Sequence, residues 1–102
     1  MYEPTERITL VGTVSQLQWN NPHVFLYITA EDENGEIGNW TLEGGAPAVL
    51  LRQGWPSGSP QPGDAVTVTI RPLLAGTRGG LIRTVTFADG STFTYEGGGA
   101  EG

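Results

Sequence analysis

Hydrophobic and polar residues alternate along the first extended segment of the chain, residues 7–19. The first apolar positions share one parity, and they are Ile8, Leu10, Gly12 and Val14. The next two apolar positions, Leu17 and Trp19, have the opposite parity. Successive side chains of a strand point to opposite faces, so a change of parity indicates an extra residue in the strand. The sequence therefore predicts a long first strand with a β-bulge near Ser15 and Gln16.

Further apolar runs predict strands separated by turns, at residues 23–32, 37–43, 65–72, 81–87 and 92–96. Asn34-Gly35 and Asp89-Gly90 are typical hairpin turns. Residues 46–55 are the only helical candidate, with Pro47 suited to the first turn and Gly54 to the C-terminal cap.

The second predicted strand has apolar residues of both parities near its start. Phe25 and Tyr27 belong to one face, and Val24 and Leu26 belong to the other. A strand with two apolar faces is typical of one that is covered on both sides. We therefore expect cover on both faces near the beginning of this strand.

The order of predicted elements is β-β-β-α-β-β, followed by one short final strand. A long first strand and a helix between the third and fourth strands favour an all-β fold with one short helix. The fold class that fits is a small OB-fold-like Greek-key barrel of five or six strands. We expect one domain over residues 1–96 and a flexible glycine-rich tail over residues 97–102. A small open β-sandwich is the alternative.

Composition narrows the possible partners. The chain has five arginines, no lysine and eleven acidic residues, for a net charge of −6. Nucleic-acid binding needs a basic surface, so no nucleic-acid partner is expected. No apolar run is long enough to span a bilayer, so membrane insertion is not expected either. The chain has no cysteine, which excludes disulfides and thiolate metal sites.

The segment WNNPH, residues 19–23, holds the only histidine and lies between the first two strands. In an OB-fold, this loop and the loop between strands four and five flank the binding face of strands two and three. The loop over residues 71–80 would therefore lie at the same end. Aromatic rings would stack, amides and imidazole would hydrogen-bond, and guanidinium groups would attract a small anion or a protein partner. The predicted ligand-binding residues are Trp19, Asn20, Asn21, His23, Tyr27, Arg71, Arg78 and Arg83.

A structural role for the same turn is the alternative. Asparagine tolerates unusual backbone angles and proline fixes φ, so Asn21-Pro22 would shape the turn, and His23 would only hydrogen-bond its backbone. The arginines would then be ordinary solvated charges. Trp40 and Trp55 are expected in the core, because so small a domain needs large side chains to fill it.

Metal binding and catalysis have less support from the sequence. One histidine without cysteine cannot form a structural zinc site, although His23 with Glu43 or Asp32 would make a weak, open metal site. No Gly-x-Ser-x-Gly segment is present, and one histidine leaves little choice of general base. We therefore expect no cofactor and no enzymatic activity.

Four segments carry a resemblance to a known family: ITLVGTVSQLQWNNPHVFLYI, WTLEGGAPAVLLRQGW, PGDAVTVT and GGLIRTVTFADGSTF. Together they resemble a family of small exported bacterial proteins of unknown function with a W-x-N-P-H motif. The matching positions are Trp19, Asn21, Pro22, His23, Trp40, Glu43, Gly44 and Trp55. The resemblance implies a periplasmic or secreted location. It also implies a histidine-rich stretch just before the position of Met1, which this chain lacks.

The function predicted from these observations is a non-enzymatic, exported binding module. Its ligand or protein partner would bind where the Asn-Pro-His turn meets the 71–80 loop. One alternative is a metal-handling protein, for copper, that uses His23 with the additional histidines that the resemblance implies. Another alternative is a structural or assembly subunit that forms homo-oligomers through exposed strand edges, such as the final strand.

Overall fold

The computed structural model describes residues 6–73 and 77–95. The elements in chain order are β1 (Ile8–Gln18), β2 (Phe25–Glu31), β3 (Ile37–Glu43), α1 (Pro47–Arg52), β4 (Ala65–Pro72), β5 (Gly79–Thr86) and β6 (Thr92–Thr94). The predicted all-β class with one short helix is confirmed. The predicted tail over residues 97–102 lies outside the described residues, as do residues 74–76 of the predicted second loop.

A parallel pairing between β3 and β5 closes the sheet into a barrel. The strands follow the order β3-β2-β1-β4-β5-β6, and every pairing along that order is antiparallel. Thr41, Leu42 and Glu43 of β3 then pair with Gly79, Gly80 and Leu81 of β5. Five strands therefore form a ring, β6 extends it at β5, and the architecture is consistent with a small OB-like barrel. This closure rules out the open sandwich.

The predicted bulge in β1 is present where the parity changes. Val14 pairs with Ile28 and Gln16 pairs with Tyr27, so Ser15 is the extra residue. The Ser15 hydroxyl donates to the Tyr27 carbonyl at 3.0 Å, which satisfies the backbone at the irregular position. The bulge moves β1 from one apolar parity to the other, so the strand keeps facing the core as it curves.

Strand β2 has one buried face and one half-buried face. Leu26 and Ile28 are fully buried in the core, whereas Phe25 and Tyr27 point outward and are only half-buried. The expectation that both faces are covered therefore holds only in part. The two outward rings shield each other instead, and this outer face becomes important for the candidate site.

Helix α1 is shorter than the predicted span of residues 46–55. Pro47 begins it, and Gly54 ends it with φ +103, the left-handed conformation that glycine adopts most easily. Trp55 follows, and its backbone N–H donates to the Leu50 carbonyl at 2.9 Å. Trp55 and Trp40 are 2% and 6% exposed, so their predicted place in the core is confirmed.

Candidate functional site

Backbone hydrogen bonds tie the β1–β2 turn to the end of β3. The buried Val24 donates its N–H to the Gly45 carbonyl at 3.0 Å and accepts from the Gly44 N–H at 2.7 Å. Residues 20–23 are exposed, and the Asn21–Pro22 peptide bond is cis. The turn therefore presents its side chains to solvent beside the last residue of β3.

His23 pairs with Glu43 across this junction. The His23 Nδ1 and Glu43 Oε2 atoms are 2.7 Å apart, and the two side chains are 47% and 25% exposed. An ionised carboxylate only accepts hydrogen bonds, so the imidazole proton lies on Nδ1. The pairing fixes the orientation of the ring and leaves Nε2 without a partner among the described residues. The structural alternative expected His23 to hydrogen-bond the backbone of the turn. Its imidazole pairs with the Glu43 side chain instead.

Two aromatic rings lie beside this pair on the outer face of β2. The ring centroids of Phe25 and Tyr27 are 6.5 Å apart with 28° between the ring planes. The Tyr27 hydroxyl donates to Gln18 Oε1 at 2.9 Å, which holds the ring against β1. Phe25 is the register partner of Glu43, so the rings and the ion pair are neighbours. We call His23, Glu43, Phe25 and Tyr27 the His23 corner.

Phe25 and Glu43 were not among the predicted ligand-binding residues. Phe25 shares the outward parity of Tyr27 on β2, and this periodicity is the signal that could have placed it there. Glu43 was predicted only as a possible metal ligand. The structure adds the reason for its position, because its strand ends level with the Asn-Pro-His turn.

Asn20 and Asn21 belong to the same exposed turn as His23. Neither side chain hydrogen-bonds to another residue in the part of the chain that the structure describes. Their amides therefore face solvent next to the His23 corner. Both remain candidate hydrogen-bonding groups for a ligand.

Two of the predicted arginines lie within two strands of the His23 corner. Glu43 pairs with Leu81, and Leu81 pairs with Arg71, so the Glu43 and Arg71 backbones are about 10 Å apart by the usual strand spacing. The Arg83 guanidinium lies 5.5 Å from the centroid of the Tyr95 ring. That ring also borders Gly45, where an added Cβ would stand 3.2 Å from Tyr95 Cε1.

Arg83 also interacts electrostatically with two other arginines. Burial lowers the pKa of the Arg83 guanidinium, and the positive charges of Arg7 and then Arg71 lower this pKa further. Tyr95 acts on the Arg83 pKa in the opposite direction and raises it. Arg7, Arg71 and Arg83 therefore form one group of like charges, which we call the arginine cluster. Arg7 was not a predicted site residue.

Arg78 lies away from both groups. Its guanidinium lies over Gly38 near the start of β3, 3.9 Å from the Glu36 carboxylate. Because β5 runs parallel to β3 and starts opposite Thr41, the residue just before β5 must lie toward the beginning of β3. Gly38 and Glu43 are about 17 Å apart along the strand. The structure thus does not bring Arg78 to the Asn-Pro-His turn.

Trp19 turns away from Tyr27 and packs against Trp55, with ring centroids 5.9 Å apart. It lines a cavity of about 430 Å³ between the end of β1, helix α1 and the loop over residues 56–62. The other side chains around this cavity include Leu17, Leu51, Ser57 and Pro60. Stacking with Tyr27 on one ligand is therefore not the role that this geometry gives to Trp19.

Metal ligands and catalytic groups are sparse. No group of three or more histidine or acidic side chains lies together within residues 6–73 and 77–95. Asp32, the second predicted partner of His23, accepts instead from the Asn34 and Glu36 backbone N–H groups of its own turn. His23 and Glu43 therefore offer two donor groups at most. None of the helices in the described ranges is both long and apolar enough to cross a membrane.

Comparison with known proteins gives a family but no activity. Neither the curated proteins nor the solved structures include a match to this chain. A family of unknown function, DUF6152, matches residues 1–84, which includes β1 to β4 and most of β5. The match thus covers the Asn-Pro-His turn, Glu43 and the arginine cluster. The chain belongs to this family of unknown function, DUF6152.

Proposed function

We propose that this chain is a non-enzymatic, exported binding module that holds a small ligand or a protein partner at the His23 corner. The observation that carries the proposal is the His23–Glu43 pair, 2.7 Å across, beside the outward rings of Phe25 and Tyr27. In OB-like barrels the outer face of the second and third strands is the usual binding surface.

The chemistry of the corner suits recognition. The carboxylate orients the His23 ring, so Nε2 can accept a hydrogen bond, or donate one when the ring is protonated. Half-buried aromatic rings offer a flat apolar surface that gains contact area when a ligand covers it. The Asn20 and Asn21 amides add donors and acceptors at the rim.

The predicted site residues divide between two roles in this proposal. Tyr27 and His23 contact the ligand directly, and Phe25 takes the stacking role first assigned to Trp19. Arg71 and Arg83, about two strands away, contribute positive charge to the same side of the barrel. Arg78 lies too far from the turn to contact the same small ligand.

Export is the second element of the proposal. It is supported by the resemblance of the W-x-N-P-H segment and the three other segments to exported bacterial proteins. Periplasmic or secreted protein is therefore the material that should carry the ligand. Fractionation of the native host would locate the chain, and finding it in the cytoplasmic fraction alone would contradict export.

Native mass spectrometry of protein purified from its own periplasm or medium tests the binding function. We expect a bound mass on the wild type and on Arg52→Ala, a control on the exposed side of α1. His23→Ala and Glu43→Ala should lose that mass. A bare mass for all four proteins, or a bound mass that survives both corner substitutions, would contradict binding at this corner.

Copper handling is a second candidate, favoured by one feature of the same pair. Histidines that bind metals through one ring nitrogen usually donate the other N–H to a carboxylate, as His23 does to Glu43. Two donor groups alone make a weak site, so further histidines would have to join them. Isothermal titration of full-length protein with Cu²⁺ tests this candidate. Equal Cu²⁺ affinity of the wild type and His23→Ala would remove it.

A further inference from the structure

Three of the five arginines meet on the barrel wall formed by β1, β4 and β5. Ile8 pairs with Ile70 in an antiparallel ladder, so Arg7 stands at the level of Arg71. Arg71 pairs with Leu81, two residues before Arg83. Strand pairing that is non-local in sequence therefore concentrates positive charge on a protein whose net charge is −6.

Donor atoms of this cluster are buried without partners. Arg71 Nε and Arg83 Nη1 are inaccessible to solvent and hydrogen-bond to no residue within 6–73 and 77–95. The ion pairs His23–Glu43 and Arg78–Glu36 do not include an arginine of the cluster. Buried unsatisfied donors are uncommon in folded proteins, and a bound water molecule or ion is a common reason for them.

Electrostatics distinguishes between those two explanations. A water molecule would satisfy the N–H groups, but it would leave the charges of Arg7 and Arg71 acting on Arg83, whose pKa burial already lowers. An anion would satisfy the donors and also offset the repulsion. Tyr95 supplies only a ring face to Arg83, and that contact does not remove the charge.

We propose that Arg7, Arg71 and Arg83 form a binding site for a small, multiply charged oxyanion of the phosphate class. Arg71 and Arg83 supply the buried donors, and the exposed Arg7 supplies charge at the solvent side. Three guanidinium groups match two or more negative charges on adjacent oxygens better than they match a single carboxylate. A long polyanion such as nucleic acid is disfavoured, because the rest of the surface is acidic.

This site does not rest on the function proposed for the His23 corner. Two of its residues belong to β4 and β5 and Arg7 directly precedes β1, whereas the corner belongs to β2, β3 and the turn before β2. His23→Ala should therefore leave oxyanion binding unchanged. Loss of binding at the corner with oxyanion binding retained in His23→Ala separates the two proposals.

The test is a titration with pyrophosphate at constant ionic strength, followed by NMR of the arginine Nε–Hε groups. Only five such signals exist, so each can be assigned. We expect saturable shifts for Arg71 and Arg83 but not for Arg52 or Arg78. Arg83→Gln should weaken pyrophosphate binding about tenfold or more, by loss of a charged hydrogen-bonding group. The matched control, Arg78→Gln, should bind as the wild type does.

Several outcomes would overturn the proposal. Equal shifts at all five arginines would show ion screening rather than a site, and the absence of a saturable shift would show no site. Citrate binding as tightly as pyrophosphate would overturn the phosphate class. Without added anion, a shift of the Arg71 and Arg83 signals in Glu3→Gln or Glu96→Gln would show that an internal carboxylate occupies the cluster instead. The wild-type signals decide these cases even if Arg83→Gln fails to fold.

Discussion

The His23 corner and the arginine cluster lie on the same barrel but differ in how their polar side chains are paired. At the corner, an imidazole and a carboxylate meet at 2.7 Å with both side chains partly exposed. In the cluster, three cations meet with buried donor atoms that have no partner among the described residues. One region is electrostatically satisfied in the absence of a ligand, and the other is not.

The two regions therefore differ in what ligand binding would do to the stability of the fold. A partly exposed pair of this kind contributes little to stability, so ligand binding at His23 Nε2 is expected to change the stability of the fold only slightly. Unsatisfied buried donors and adjacent like charges both oppose folding, so the cluster gains from any anion that binds there. Binding at the corner is therefore expected to be selective, whereas binding at the cluster is expected also to stabilise the fold.

The largest expected effect comes from Tyr95, which lies between the two regions. Its ring is 8% exposed, borders Gly45 beside the corner and carries Arg83 on its face. Tyr95→Ala should lower the free energy of unfolding by about 3 kcal/mol or more, because it leaves a cavity in the core. Urea denaturation measures this change.

Tyr95→Phe is the matched control, since it keeps the ring and removes only the hydroxyl. Its cost should stay below about 1 kcal/mol. In Tyr95→Phe the NMR signals of both His23 and Arg83 should stay near their wild-type positions. A loss of less than about 1 kcal/mol in Tyr95→Ala would contradict the packing that joins the two regions.

The individual elements could be predicted from the sequence because they depend on local patterns. The parity change between Val14 and Leu17 predicted the bulge at Ser15, and Pro47 and Gly54 marked the limits of the helix. The OB-like order followed from the succession of strands around one helix. Helix length was overestimated, because Gly54 leaves the helical conformation and Trp55 turns into the core instead of continuing the helix.

The candidate site was only partly predictable, because its composition depends on which distant strands pair. The parallel pairing of β3 with β5 decides that Arg71 lies near Glu43 and that Arg78 lies near Gly38. No local pattern encodes that register. Arg7 was missed for the same reason, since only the β1–β4 ladder brings it level with Arg71.

Removing Arg7 tests whether the three arginines of the cluster repel one another. Arg7 is exposed, and its only described side-chain hydrogen bond goes to the carbonyl of Glu6. Arg7→Gln should therefore raise the free energy of unfolding by up to about 1 kcal/mol in dilute chloride buffer, because it removes repulsion with little loss of packing. Thermal unfolding at several NaCl concentrations should show this gain shrinking as salt rises.

Arg52→Gln provides the comparison for this experiment. Arg52 lies in the last turn of α1, where a positive charge is favourable with the helix dipole. Its removal should give no gain in stability at low salt. If Arg7→Gln lowers the melting temperature, or if both variants respond to NaCl alike, the cluster is not a site of like-charge repulsion.

A double-mutant cycle at His23 and Glu43 measures how strongly the two side chains of the corner interact. The coupling free energy between His23→Gln and Glu43→Gln should lie at about 0.2–1 kcal/mol, because both side chains are partly exposed. The ¹⁵N shifts of the single histidine should also show loss of the Nδ1–H preference in Glu43→Gln. Coupling above about 2 kcal/mol would identify a pair that mainly stabilises the fold.

The smallest expected effect concerns Asp89, whose carboxylate is hydrogen-bonded within its own turn. The Ser91 hydroxyl donates to Asp89 Oδ1 at 2.7 Å and the Ser91 backbone N–H donates at 2.9 Å, and these bonds lower the pKa of Asp89. The folded pKa is below the unfolded one, so this contribution to stability is present above the unfolded pKa. It is lost as the pH falls through the folded pKa.

Ser91→Ala should raise the pKa of Asp89 toward its ordinary value while the backbone N–H keeps part of the shift. A ¹³C NMR titration of the Asp89 carboxyl group measures the change, and an unchanged pKa would mean that the hydroxyl does not hold the carboxylate. Because one turn satisfies this charge locally, neither Tyr95→Ala nor pyrophosphate should move its titration. That independence makes Asp89 the internal reference for pairing changes at the His23 corner and the arginine cluster.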